Sequence, residues 1–258
     1  MEIVRSRAIE DIYDKKIQDM IVGKREMRAV KYTNKRVKIH LSDVTSLCML
    51  QPYYHRVLDN PPLPSFNSSW SFLRGRVVER SIALELAPVT VDGIIGTVDD
   101  ILDGEIVEIK STAQGSEFFN PGKEQPEWIS RMKGYCYMYG KTQMYLFVVF
   151  IVGNLPNYMW WSVKKYGKRP KKYQGFATRA WKVSFDSKEL EGFWAETIET
   201  KHLLEKAVSD KTPEILFDIV KANKPEWICK PELCQYYDKC EYRNQGKVSD
   251  DYFEEVGL

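Results

Sequence analysis

Two apolar runs between residues 89 and 112 flank the dipeptide Asp103-Gly104, and this is the strongest local constraint in the chain. Asp-Gly tolerates the left-handed backbone that both central positions of a two-residue hairpin turn require. A turn at this point pairs Leu102 with Glu105, Ile101 with Ile106, and Asp100 with Val107. Asp99 then falls opposite Glu108. Directly paired residues point to one face, with Cβ atoms roughly 4.5–5.5 Å apart. Lys110 follows Glu108 by two residues and shares its face, whereas Ile109 and Asp100 point the other way. The hairpin therefore gathers Asp99, Glu108 and Lys110 and separates Asp99 from its neighbour Asp100.

Side-by-side carboxylates repel, so a sheet does not place them together for stability. A divalent cation between them removes the conflict, and Mg²⁺ or Mn²⁺ suits hard oxygen ligands of this kind. The Ile109 carbonyl is a further candidate ligand, and Lys110 is placed to orient water or to neutralise charge on a phosphate. The competing reading is an exposed hairpin in which Glu108 and Lys110 form a surface ion pair worth little. Glu79 favours the metal site. On a helix expected from Trp70 to Leu86, it has Gly75, Ile82 and Ala83 among its neighbours at helical spacing. A third carboxylate from that helix completes a metal site; an Arg76–Glu79 ion pair is the alternative.

The rest of the chain reads as one mixed α/β sandwich. A charged helix is expected over residues 5–30. A second helix, capped by Ser42 or Asp43, carries Cys48 and Tyr53-Tyr54. A loop runs from Asn60 to Ser69, and a helix from Glu127 to Tyr139. Strands are expected at Gln143–Val152 and Ala177–Phe185, and a charged amphipathic helix at Ser187–Ser209. No repeat is present. The 38 Lys+Arg and 36 Asp+Glu nearly cancel, so any nucleic-acid surface must come from charge distribution. The charged N-terminus lacks a secretory apolar stretch, and the longest apolar run, Met144–Val152, is too short to span a bilayer. A cytoplasmic protein with reduced cysteines and no membrane partner is the expectation.

Gly75 to Glu79, Gly96 to Asp99 and Glu108 to Lys110 form the patterns G-x-x-x-E, G-x-x-D and E-x-K in order. This arrangement resembles the PD-(D/E)xK nuclease superfamily. Its RecB-like branch adds a helix with Gln-x-x-x-Tyr; here Tyr135 matches and Arg131 stands in the glutamine's place. Many relatives carry His where this chain has Glu79. Cys48 precedes this region, and Cys229, Cys234 and Cys240 follow it, with C-x(4)-C-x(5)-C spacing. One cysteine upstream and three downstream resemble the CRISPR-associated RecB-like exonuclease family (Cas protein four), whose usual final cluster is C-x-x-C-x(5)-C. The resemblance implies a restriction-endonuclease-like core, a mixed central sheet flanked by helices, with an iron–sulfur subdomain formed by both chain ends. It implies a nuclease core at 70–210 between an N-terminal helical region at 1–69 and a cysteine segment at 211–258. It also implies Cys48, Cys229, Cys234 and Cys240 as ligands of a [4Fe–4S] cluster. Glu79, Asp99, Glu108 and Ile109 become the Mg²⁺ or Mn²⁺ site, with Lys110 and Tyr135 as catalytic partners. From the residues alone, zinc remains an alternative to iron–sulfur. Cys136 reads as a small core residue.

The stretch WWSVKKYGKRPKKYQ at 160–174 interleaves basic and aromatic residues, which suits single-stranded nucleic acid or, equally, a solvated hairpin loop. Arg74 and Arg76 flank the start of the Glu79 helix and can meet a phosphate. Together these features point to a metal-dependent DNA nuclease that prefers single strands; exonuclease activity, with trimming of spacer precursors beside a CRISPR integrase complex, is what the resemblance implies. A viral or host repair nuclease and a non-catalytic, zinc-stabilised nucleic-acid-binding module are the rival readings. Oligomeric state, digestion polarity and exo- against endonucleolytic cleavage are left open by the sequence.

Overall fold

The computed structural model describes residues 1–21, 38–59, 61–62, 75, 77–84, 86–112, 116, 119–151, 177–223, 228–231 and 233–243. The basic segment at 160–174, Arg74, Arg76, most of the 60–69 loop and the 22–30 part of the helix expected over 5–30 lie outside the described residues. In chain order the elements are β1 (Glu2–Arg5), α1 (Arg7–Ile21), β2 (Ile39–His40), α2 (Leu41–Val44), α3 (Leu50–Val57), β3 (Val89–Val91) and β4 (Ile94–Gly96). Then come β5 (Asp100–Leu102), β6 (Glu105–Thr112), α4 (Pro121–Glu124), α5 (Pro126–Met138), β7 (Gln143–Phe150), β8 (Ala177–Ser184), α6 (Ser187–Asp210) and α7 (Phe217–Asn223). Residues 77–82 are also helical.

The chain forms two compact units, each discontinuous in sequence. The first comprises Met1–Lys31, Leu73–Thr90 and Gly96–Phe193; the second comprises Tyr32–Phe72, Val91–Ile95 and Trp194–Leu258. A five-stranded sheet in the order β1-β8-β7-β6-β5 is the centre of the first unit. Only β6 and β7 run parallel, and α5 lies between them in sequence, as a parallel crossover demands. The mixed central sheet with flanking helices agrees with the expected fold class.

The charged helix expected over 5–30 is present from Arg7 as α1, and before it β1 pairs with β8 from Glu2↔Ser184 to Arg5↔Trp181. That partner lies so far along the chain that no local pattern announces it. Cys48 sits between α2 and α3 rather than on a helix. Finally, Asp43 caps α2 from inside its first turn, accepting the His40 backbone N–H at 2.8 Å, and Ser42 is not the cap.

The Asp103-Gly104 turn forms as expected, with φ of 50° and 78°. A second turn of the same kind, Asp92-Gly93 with φ of 49° and 78°, joins β3 to β4. Val107, Ile109, Phe147, Val149 and Ala180 build one apolar face of the sheet, against Ile9 and Tyr13 of α1 and against Ile82 and Ala83. Tyr13 stacks on Phe147 at 4.5 Å. On the other face, Phe119 packs on Phe150 and Trp181, and also on Trp128 of α5. Among the described residues, no helix is long and apolar enough to cross a membrane.

In the second unit β2 runs parallel to β4, pairing Ile39 with Ile94 and His40 with Ile95. Its aromatic packing includes Tyr54 on Tyr236 at 5.6 Å and Phe217 on Tyr242 at 5.2 Å. Asp43, buried, also accepts from Arg56 Nη2 at 2.6 Å, which satisfies a charge that burial would otherwise penalise.

Candidate active site

The hairpin register is Asp100↔Val107, Ile101↔Ile106 and Leu102↔Glu105, so alternation along β6 sends Glu108 and Lys110 to one face and Ile109 to the other. Asp99 lies just before β5. Its backbone N–H bonds to the Val107 carbonyl at 3.2 Å, and its Oδ2 accepts the Ile109 N–H at 2.7 Å. Asp100, fully buried, points to the opposite face. There its Oδ2 accepts from the Tyr13 hydroxyl at 2.6 Å and the Lys16 ammonium at 2.5 Å. Asp100 thus serves the core, and Asp99 serves the site.

Around Lys110 three oxygens meet. Its Nζ forms an ion pair with Glu108 Oε1, lies 3.7 Å from Asp99 Oδ2, and donates to the Ile109 carbonyl at 3.1 Å. A cationic point within reach of two carboxylates and a carbonyl is the donor set a hard divalent ion takes. Glu108 is almost fully buried, and among the described residues its Oε2 has no hydrogen-bond partner. An orphaned, buried carboxylate oxygen beside two other oxygens fits a cation ligand.

The electrostatics carry the same strain. Burial first, then the Glu108 and Glu79 charges, hold the Asp99 carboxyl well above the usual carboxylate range, with Lys110 and the Ile109 N–H acting against them. Burial likewise pushes the Tyr135 phenol up, reinforced by Glu108 and Asp99, so Tyr135 stays a protonated hydroxyl beside the acids. Gly96 lets β4 approach α5: a Cβ there would lie 2.7 Å from Met138 Sδ and 3.2 Å from Tyr135 Cε1.

Glu79 influences Asp99 and Tyr135 through its charge. Among the described residues, however, no three His, Cys, Asp or Glu side chains are drawn together tightly enough to hold an ion as they stand. Arg131 of α5, which stands in the glutamine position of the motif, brings its Nη1 to 3.9 Å from Glu108 Oε1. Its spacing one turn before Tyr135 was the available signal.

In the second unit, Cys48, Cys229, Cys234 and Cys240 line one cavity of about 350 Å³ counted to its open mouth, with Leu50, Gln51, Tyr54, Ile228, Tyr236, Tyr237 and Arg243. Burial, with the three neighbouring cysteines adding to it, pushes the Cys48 thiol up to about 12. Gln51 Nε2 lies 3.9 Å from Cys234 Sγ. Cys136 is buried elsewhere, on α5.

The sequence matches no family model and no curated protein. Among solved structures, a protein designated SSO0001 aligns over 91% of this chain and 96% of its own at 13% identity, with a TM-score of 0.40. The alkaline exonuclease LHK-Exo from Laribacter hongkongensis aligns over 69% of this chain and 92% of its own, at 15% identity and a TM-score of 0.38. A phage-related exonuclease from Haemophilus somnus 129PT covers 67% and 83% respectively, at 13% identity and 0.38. Similarity at this level carries no functional conclusion.

Proposed function

We propose that this chain is a metal-dependent DNA nuclease that hydrolyses phosphodiester bonds. The observation that carries the reading is the convergence of Asp99 Oδ2, Glu108 Oε1 and the Ile109 carbonyl on one cationic point, beside the orphaned Glu108 Oε2. These three groups would hold Mg²⁺ or Mn²⁺, with Glu79 contributing charge. When bound, such an ion lowers the proton affinity of water and neutralises phosphate charge.

The chain's own residues account for the rest. The Ile109 N–H fixes the Asp99 carboxylate. Lys110, held between the acids, orients the attacking water and offsets negative charge as it develops on the phosphate. The Tyr135 hydroxyl, kept protonated, is a donor rather than a base. The basic and aromatic stretch at 160–174 supports single-stranded DNA as the preferred substrate. Exonucleolytic trimming, including that of spacer precursors in CRISPR adaptation, is the errand suggested by the one-plus-three cysteine pattern.

The four cysteines on one cavity fit a soft-ligand group, and we assign them to a [4Fe–4S] cluster. A buried thiol with raised proton affinity, like Cys48, becomes a thiolate when a metal compensates its charge.

The deciding experiment is digestion of end-labelled single- and double-stranded DNA with Mg²⁺ or Mn²⁺, comparing the wild type with Lys110→Ala. Cleavage lost in the variant supports the mechanism; equal cleavage by both proteins removes it.

A further inference from the structure

Arg131 reaches the site from α5, one helical turn before Tyr135. Its Nη1 stands 3.9 Å from Glu108 Oε1, beyond hydrogen-bonding distance, and among the described residues its buried Nε has no acceptor. A guanidinium that existed to neutralise Glu108 would make the fork-shaped pair its five donors allow. Lys110 has that place instead, in direct contact with Oε1. The Arg131 side chain is also 27% exposed, so part of it is open to solvent.

We propose that Arg131 is the phosphate clamp of this site, its guanidinium binding a non-bridging oxygen of the scissile phosphodiester rather than serving as the counter-ion of Glu108. The proposal rests on the nuclease reading of the same site. It also separates two roles that distance alone confuses. A counter-ion holds Glu108 in place, so its loss weakens metal binding. A clamp competes mildly for Glu108 until substrate arrives, so its loss leaves metal binding equal or tighter while substrate handling suffers.

The test uses the full chain with Arg131→Gln and Arg131→Lys, beside Lys110→Ala. Mn²⁺ binding without DNA, followed by electron paramagnetic resonance, is expected to be equal or tighter in Arg131→Gln. A labelled single-stranded oligonucleotide is then titrated in Ca²⁺ at several salt concentrations. The slope of log affinity against log salt should be shallower by about 0.7, one phosphate contact. With Mn²⁺, kcat should fall roughly 100-fold in Arg131→Gln, and Arg131→Lys should recover part of it. Unchanged salt slope and kcat in Arg131→Gln overturn the clamp. A loss of Mn²⁺ affinity large enough to explain the slower rate overturns it too. If Lys110→Ala is inactive while Arg131→Gln cleaves normally, the clamp alone fails. If both cleave like the wild type, the assignment of this site as the active centre fails with it. Should the wild type cleave nothing, the salt slope and Mn²⁺ arms still decide the role of Arg131.

Discussion

Replacing Asp100 with asparagine tests the assignment on which the site depends, because Asp99 and Asp100 differ only in the face they take. Asp100 Oδ2 is buried and accepts two donors, Tyr13 Oη at 2.6 Å and Lys16 Nζ at 2.5 Å. Asparagine keeps an oxygen for the Ile101 N–H that Oδ1 now accepts at 3.0 Å. Its amide then faces the tyrosine and the ammonium. Tyr13 can rotate its hydroxyl and accept, but Lys16 cannot, since an ammonium only donates. Hydrogen bonds to a charged group contribute about 1.5–3 kcal/mol each. Lys16 is 21% exposed and can turn to water, which discounts its share. The expected loss is about 2–3 kcal/mol. At roughly 2–4 °C per kcal/mol for a chain of this size, Tm falls by roughly 4–12 °C. Thermal unfolding by circular dichroism in EDTA reads the loss, and cleavage with Mn²⁺ below the variant's Tm should persist. Tyr13→Phe belongs to the same network, so the double variant should lose less than the two single losses together. An Asp100→Asn protein with unchanged Tm and no cleavage would refute the argument, because Asp100 would then be the site residue.

Other outcomes follow from the same geometry. Asp99 binds its proton more tightly folded than unfolded. Its contribution to stability is therefore full below the ordinary carboxylate pKa and is lost as pH rises through the folded value. Asp99→Asn in EDTA should thus raise Tm at neutral pH, make little difference near pH ~4, and abolish Mn²⁺-dependent cleavage; a lower Tm at pH ~7 contradicts this. Gly96→Val, which pushes on Met138 and Tyr135, should cost roughly 1–3 kcal/mol in denaturant unfolding and slow cleavage. Anaerobically purified protein should be brown and contain iron and sulfide, and Cys48→Ala should lose both; a colourless protein with zinc alone sinks the cluster assignment.

Local chemistry made much of this molecule legible. Asp103-Gly104 specifies a hairpin because few dipeptides accept positive φ twice, and strand alternation then separates Asp99 from Asp100 without reference to anything distant. The helix that carries Tyr135 and the strands at 143–150 and 177–184 also show in their periodicity, to within a few residues. Contacts across the chain were a different matter. The pairing of β1 with β8, the capture of Asp100 by Tyr13 and Lys16, and the approach of Arg131 to Glu108 all join residues far apart in sequence. Neither periodicity nor turn chemistry encodes such partners, because both report only a residue's neighbours along the backbone. The cysteines fall between the two cases: their spacing suggested a common ligand, but only folding brings Cys48 to the cavity that the other three line. Thus the sequence by itself determined which face carries the acids. What stands against them was decided by packing, since which distant side chain fills a given space depends on the whole fold at once.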